Sequence, residues 1–98
     1  MNNLAINTLR IICKSKKYVF GETLLLDIKT NKVELVLISE DIGLSSKKKI
    51  IDKCTSFNVN YLVCLDKNTL KDIFQKDISS IGIKDKNLAQ KFLENMQK

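Results

Sequence analysis

Side chains able to do covalent chemistry are scarce in this sequence. Among 98 residues there is no His. No Ser-His-Asp or Cys-His nucleophile, imidazole acid–base pair or His-containing metal site can therefore be assembled. Three Cys remain, Cys13, Cys54 and Cys64, with no C-x-x-C spacing. An odd set of widely spaced Cys among apolar neighbours reads as reduced thiols packing as small hydrophobes, not as a disulfide framework. Glu40-Asp41 follows an apolar run and looks like a carboxylate pair. Without further acidic partners and a positioned Lys, it is expected to shape a turn by accepting from loop backbone. No catalytic residue, cofactor or metal is expected, and the chain reads as non-enzymatic.

What remains is charge. Seventeen Lys and Arg face eleven Asp and Glu, a formal balance of +6 carried almost wholly by Lys, with Arg10 the only Arg. Such a balance on a small domain suggests a polyanion partner, although the Lys, Ile and Asn bias of an AT-rich genome gives a similar composition. Position has to decide. Lys47-Lys48-Lys49 is expected in the first turn of a helix, where unpaired N–H groups already make the end partly positive. A bound phosphate would turn that conflict into attraction, for one or two of the three. Arg10, Lys14, Lys16 and Lys17 form a second acid-free cluster. Lys14 suits a helix carboxyl end, whereas Lys16 and Lys17 flank the next strand and are candidates for a binding edge.

Gly21-Glu22-Thr23 makes a glycine turn opening a helix, a geometry that lets anions approach. The G-x-G-x-x-G and G-x-x-x-x-G-K-[ST] signatures are absent, so a nucleotide site is not supported. Aromatic residues are 6% of the chain. Phe57, Phe74 and Phe92 fall in helical apolar stripes and are expected in the core, and Tyr18 and Tyr61 start strands. A base-stacking platform is not expected.

The elements that position these residues follow from apolar spacing. A helix is predicted over 3–13, with Asn2 or Asn3 as N-cap, then a short strand over 18–20 ending at Gly21. A second helix follows over 22–32. The nearly unbroken apolar run over 34–39 reads as a central strand buried on both faces. A loop over 40–46 leads to a helix over 46–57, capped by Ser45 or Ser46, with Ile50, Ile51, Cys54 and Phe57 buried. Then come a strand over 61–65, a short helix capped by Asp66, a strand over 78–83 and a final helix capped by Asp85. Strands alternating with helices imply one sheet covered on both faces, in a single domain over residues 1–98. If the strands run parallel, the junctions at Gly21, Glu40 to Ser46 and Asp66 gather along one sheet edge, where open α/β folds bind ligands. No apolar stretch approaches the ~20 residues needed to span a bilayer, and the start shows no basic region followed by an apolar run. A cytoplasmic, monomeric protein with no membrane partner is expected.

Three blocks carry a resemblance: Val19-Phe20-Gly21-Glu22, then Lys32-Val33-Glu34-Leu35-Val36-Leu37-Ile38-Ser39-Glu40-Asp41, then Lys47-Lys48-Lys49-Ile50-Ile51-Asp52-Lys53-Cys54. With Asn58-Val59-Asn60-Tyr61 and Ile81-Gly82-Ile83-Lys84-Asp85, the chain resembles the bacterial YlxQ proteins. These belong to the kink-turn-binding ribosomal-protein superfamily of archaeal L-seven-Ae and eukaryotic L-thirty-e. The resemblance implies a three-layer α/β/α sandwich with a four-stranded mixed sheet. It implies binding of structured RNA, ribosomal or stem-loop, in the setting of the ribosome or the translation and transcription machinery. The implied edge has three segments: Gly21, Glu22 and Thr23; Glu40, Asp41 and Ile42; and Ile78, Ser79 and Ser80. Lys47, Lys48, Lys16 and Lys17 would add phosphate contacts. The kink-turn binders carry Gly-x-Asn-Glu and a Lys one turn on. Here Gly21, Glu22, Thr23 and Leu24 are followed by Asp27, so the base-reading amide, carboxylate and Lys are missing. Phosphate contacts survive such losses better than base selectivity does. The rival readings are a protein–protein interaction module on the same fold and a small enzyme or nucleotide sensor.

Overall fold

The structure, a computed structural model, describes residues 2–97; Met1 and Lys98, at the ends of the expected domain, lie outside them. The elements are α1 (Asn3–Ser15), β1 (Tyr18–Val19), α2 (Gly21–Lys29), β2 (Leu35–Ser39), α3 (Leu44–Ser56), β3 (Tyr61–Leu65), α4 (Lys67–Phe74), β4 (Ser80–Ile83) and α5 (Lys86–Met96). Three helices begin where their capping side chains dictate. The carboxamide oxygen of Asn2 accepts from the Ala5 N–H at 2.8 Å, Asp66 from Thr69 at 2.7 Å, and Asp85 from Leu88 at 2.9 Å. Each satisfies a backbone donor that the first helical turn leaves without an intrahelical partner.

The strands form one sheet in the order β1-β4-β2-β3. β4 runs antiparallel to both β1 and β2, and β2 runs parallel to β3. β1, β2 and β3 therefore share a direction and β4 alone opposes them. The carboxyl ends of three strands and the amino end of β4 meet along one edge, as the parallel arrangement required.

β2 sits at the centre, with all five residues buried. Leu35 and Leu37 face a layer built on Leu9 and Ile12 of α1, Leu70 of α4 and Phe92 of α5. Val36 and Ile38 face the opposite layer, with Leu24 and Ile28 of α2 and Ile50 and Cys54 of α3. The unbroken apolar run is thus explained by burial on both faces, and the architecture is the three-layer sandwich.

Close packing of α2 onto β4 depends on Gly82. A Cβ there would stand 2.6 Å from Leu24 Cδ1 and 2.9 Å from Val33 Cγ1, inside contact distance. Near the far end of α2, the buried Asp27 carboxylate forms an ion pair with Lys84 Nζ at 3.2 Å.

Several boundaries differ from those expected. β1 holds two residues, and Phe20 becomes the N-cap of α2, which ends at Lys29. β4 begins at Ser80. α3 begins at Leu44, with Gly43 as an N-cap that offers no side-chain hydrogen bond, so Ser45 and Ser46 lie inside the helix. The Lys47 N–H already donates to the Gly43 carbonyl at 2.9 Å. Lys47, Lys48 and Lys49 therefore sit one turn further in than expected, where the end-of-helix charge has largely faded. Phe57 is also not core: the helix stops at Ser56, and the residue is 37% exposed.

Candidate functional site at the carboxyl edge of the sheet

Three chain segments are pinned together at this edge by hydrogen bonds. The Ser39 N–H donates to the Ser79 carbonyl at 2.9 Å, and Ile38 is in register with Ser80. On the other side, the Glu40 N–H donates to the Leu65 carbonyl at 2.6 Å. The Asp41 carboxylate accepts from the Lys67 N–H at 3.0 Å. The turn expected at Asp41 thus forms, but the carboxylate binds the start of α4 instead of its own loop. Asp41 and Asp66 together satisfy two donors of one short helix.

Between α2, α3 and the start of β4 lies a cleft of about 270 Å³. Its apolar lining comes from Leu24, Leu25, Ile42 and Ile50, and its polar lining from Glu22, Ser46, Ser79, Ser80 and Lys49. Gly21 completes it at φ +65°, with no heavy atom within 4 Å of where a side chain would begin. Glycine holds a positive φ at less cost than a residue with a Cβ, and its bare surface admits a close approach. An apolar floor bordered by hydroxyls, the Glu22 carboxylate and the Lys49 ammonium suits a flat, partly apolar group with polar edges.

The cleft gathers Gly21, Glu22, Ile42, Ser79 and Ser80 from the expected set. Thr23 is exposed one residue further along α2, and Glu40 is exposed in the loop. Of the three consecutive lysines, Lys49 lines the cleft, Lys48 is exposed and Lys47 is half-buried. Among the described residues, none of the three pairs with a carboxylate. Lys16 and Lys17 precede β1 and lie toward its opposite end. Lys17 Nζ there pairs with Asp85 at 3.1 Å, and the Lys17 carbonyl accepts from the Lys84 N–H. Asp27 is paired with Lys84 and does not line the cleft.

Sequence reasoning missed two neighbours. Leu44, the first residue of α3, is 85% exposed beside the loop over 40–43. Lys67, with Lys71 and Ser79, borders a second cleft of about 400 Å³ across the edge. Lys71 is engaged by Asp77 at 3.2 Å. The signal for Lys67 was its place directly after the Asp66 cap, at the third strand-to-helix junction. A cleft of about 410 Å³ between α1 and α4 combines Arg10 with Asp66 and Asp72, so its charge does not favour an anion.

The thiols lie in or beside the core. Burial pushes Cys54 up to about 11. Burial, helped by the Glu40 charge, pushes Cys64 up to about 11 as well. Cys13 donates to the Ile73 carbonyl at 3.4 Å. Among the described residues, no group of three or more His, Cys, Asp or Glu is placed to hold a metal ion. No described helix is long and apolar enough to cross a membrane.

The chain matches no known family model. In three dimensions it matches a protein of unknown function from Bacillus halodurans C, with a TM-score of 0.90 and 24% identity. That match covers 99% of this chain and 100% of the other, and it shows the fold. In sequence, a 49-residue stretch is 37% identical to the RNA-binding protein YlxQ of Bacillus subtilis (strain 168), covering 49% of each chain. Over 91 residues, 92% of this chain and 88% of the relative, the sequence is 26% identical to the RNA-binding protein YlxQ of Enterococcus faecium.

Proposed function

We propose that this chain is a non-enzymatic RNA-binding protein that holds structured RNA at the carboxyl edge of its sheet. The carrying observation is the convergence of Gly21, Ile42, Ser79, Ser80 and Lys49 on one cleft beside lysines without acidic partners. The similarity to two proteins named RNA-binding protein YlxQ supports the same reading. Lys47, Lys48 and Lys49 neutralise phosphates, and Gly21 lets the sugar–phosphate backbone come close. Glu22 and Thr23 make polar contacts, while Ser79 and Ser80 face an unpaired base with Ile42 beneath it. Asp41 acts by holding the loop against α4, while the Glu40 N–H ties it to the end of β3. Lys16 supplies long-range attraction, and Lys17 is already engaged by Asp85.

Recognition of this kind rests on shape and backbone. A ribosomal or other stem-loop RNA is the substrate class. Selection of a kink-turn is not part of the proposal, because Thr23 and Leu24 replace the base-reading pair and Asp27 is buried against Lys84.

Salt dependence tests the proposal. With ~4 phosphates contacted, log K for an RNA hairpin should fall against log salt with a slope of roughly −3. Replacing Lys47, Lys48 and Lys49 together by Gln should flatten that slope by ~1 to 2. A flat dependence in the unmodified protein refutes the phosphate argument. Partners that survive nuclease treatment in a pull-down would favour the interaction-module reading.

A further inference from the structure

A second cleft, of about 470 Å³, opens on the other side of the Phe20–Gly21 step, lined by Cys13, Lys16, Tyr18, Phe20, Phe74 and Lys76. Its floor is aromatic. The Tyr18 and Phe20 rings lie 6.3 Å apart and nearly parallel, at 22°, and Tyr18 packs on Phe74 at 4.7 Å. Tyr18 and Phe20 are only half-buried. Lys76 Nζ hangs over the Phe20 ring at 5.7 Å. Neither Lys76 nor Lys16 has a carboxylate partner among the described residues.

The electrostatics limit what can bind here. α1 and α4 both end at this cleft, with Lys16 and Gln75 as their left-handed caps. Each helix end contributes roughly half a negative charge, and the two ammonium groups outweigh the pair by only about one unit. That attracts one phosphate, not a run of them, so stacking must supply most of the affinity. A nucleotide meets both demands, since its base offers a π-face to the rings and its phosphate replaces the ring as the partner of Lys76.

We propose that this cleft takes a single unpaired nucleotide, its base against Phe20 and Tyr18 and its phosphate between Lys16 and Lys76. The nucleotide belongs to a strand continuing from the RNA held at the carboxyl edge, so the inference rests on the function proposed above. Phe20 ends one site and Gly21 begins the other, which makes a continuous path for such a strand. An acidic peptide is the competing occupant, but it offers no π-face matched to two nearly parallel rings.

The test compares a blunt RNA hairpin with the same hairpin carrying a three-uridine tail. The tail should tighten binding about tenfold, within the range that stacking of one base supplies. Against log salt this gain should fall with the slope of a single phosphate, about −0.7, where the edge falls with roughly −3. Phe20→Leu, which keeps an apolar side chain, should abolish the gain. Replacing Lys47, Lys48 and Lys49 by Gln should weaken both hairpins and leave the gain intact. In the unmodified protein, the tail should move the Phe20 and Tyr18 ring resonances and leave that of the fully buried Phe92 in place.

No gain from the tail, or a gain that survives Phe20→Leu, overturns the inference while salt-dependent binding of the blunt hairpin leaves the edge reading standing. Loss of salt-dependent binding by both hairpins overturns the two together. Displacement of the tail by a Glu- and Tyr-containing peptide at equal concentration assigns the cleft to a protein partner and also overturns it.

Discussion

Replacing Gly82 by Ala should destabilise the protein out of proportion to one methyl group. The added Cβ would stand 2.6 Å from Leu24 Cδ1, 2.9 Å from Val33 Cγ1 and 3.2 Å from Val33 Cγ2. Carbon atoms settle at about 3.5–4.0 Å, so the neighbours must retreat by roughly 1 Å. Leu24 can yield by turning its terminal methyl, but Val33 branches at Cβ and has little freedom. Overpacking of this kind costs about 1–3 kcal/mol. A less flexible unfolded chain returns about 0.4–1 kcal/mol of that, leaving a net loss of about 1–2 kcal/mol. In urea the midpoint should fall by about 1 M, with an unchanged slope m near the lower end of the usual 1–3 kcal/mol/M. In a Leu24→Ala background the same substitution should cost about 1 kcal/mol less, because the closest contact is gone. A midpoint that stays put, or strictly additive effects, would refute the claim that α2 rests on β4 through this glycine. Leu24 also lines the carboxyl-edge cleft, so amide resonances around Gly21 should shift in the Gly82→Ala protein.

Three further outcomes are expected. Asp41→Ala leaves the Lys67 N–H without its carboxylate and should cost about 0.5–1 kcal/mol of stability in denaturant, while Asp41→Asn, which can still accept, should cost less. The N–H groups of Thr69 and Leu88 hold the carboxyls of Asp66 and Asp85 below their ordinary range, with Lys17 adding to the effect at Asp85. A folded value below the unfolded one means that this stabilisation is present above the unfolded value of about 4 and fades as pH falls through the folded value. Thermal melts should therefore lose ground only in acid, and Asp66→Ser with Asp85→Ser, which keep a cap without a titrating group, should flatten that acid limb. Finally, with thiols pushed up to about 11, Cys54 and Cys64 should resist a thiol reagent at pH 8 until urea unfolds the chain. Rapid modification of Cys54 in the native protein would contradict its burial.

How much of this was legible in the sequence depends on distance along the chain. The central strand was visible because burial on both faces leaves an unbroken apolar run. Asp66 and Asp85 were visible as caps because their partners lie three residues on. The start of α3 was misplaced because a serine pair looks like a cap, whereas Gly43 caps without a side chain. Phe57 matched the helical stripe until the helix ended before it. Side-chain partners far along the chain were out of reach. Lys17 finds Asp85 sixty-eight residues away, and Asp41 finds the Lys67 N–H twenty-six residues away. No local spacing encodes either contact. The aromatic cleft escaped notice for the same reason, since it joins the residue before Gly21 to side chains at the carboxyl end of α4.

The order β1-β4-β2-β3 also has a consequence for the timing of assembly during synthesis. β4 is translated after the other three strands, yet it lies between β1 and β2 and pairs with both. Until residues 80–83 leave the ribosome, β1 has no neighbour in the sheet, and the Ser79–Ser80 wall of the cleft does not exist. The β2–β3 pair can form early, since a single helix connects its strands. The pairing of Tyr18 with Ile83 must instead close a long loop, a step that delays folding. Lys47, Lys48 and Lys49 therefore emerge before the segment that completes the cleft. The cleft is complete only when β4 docks.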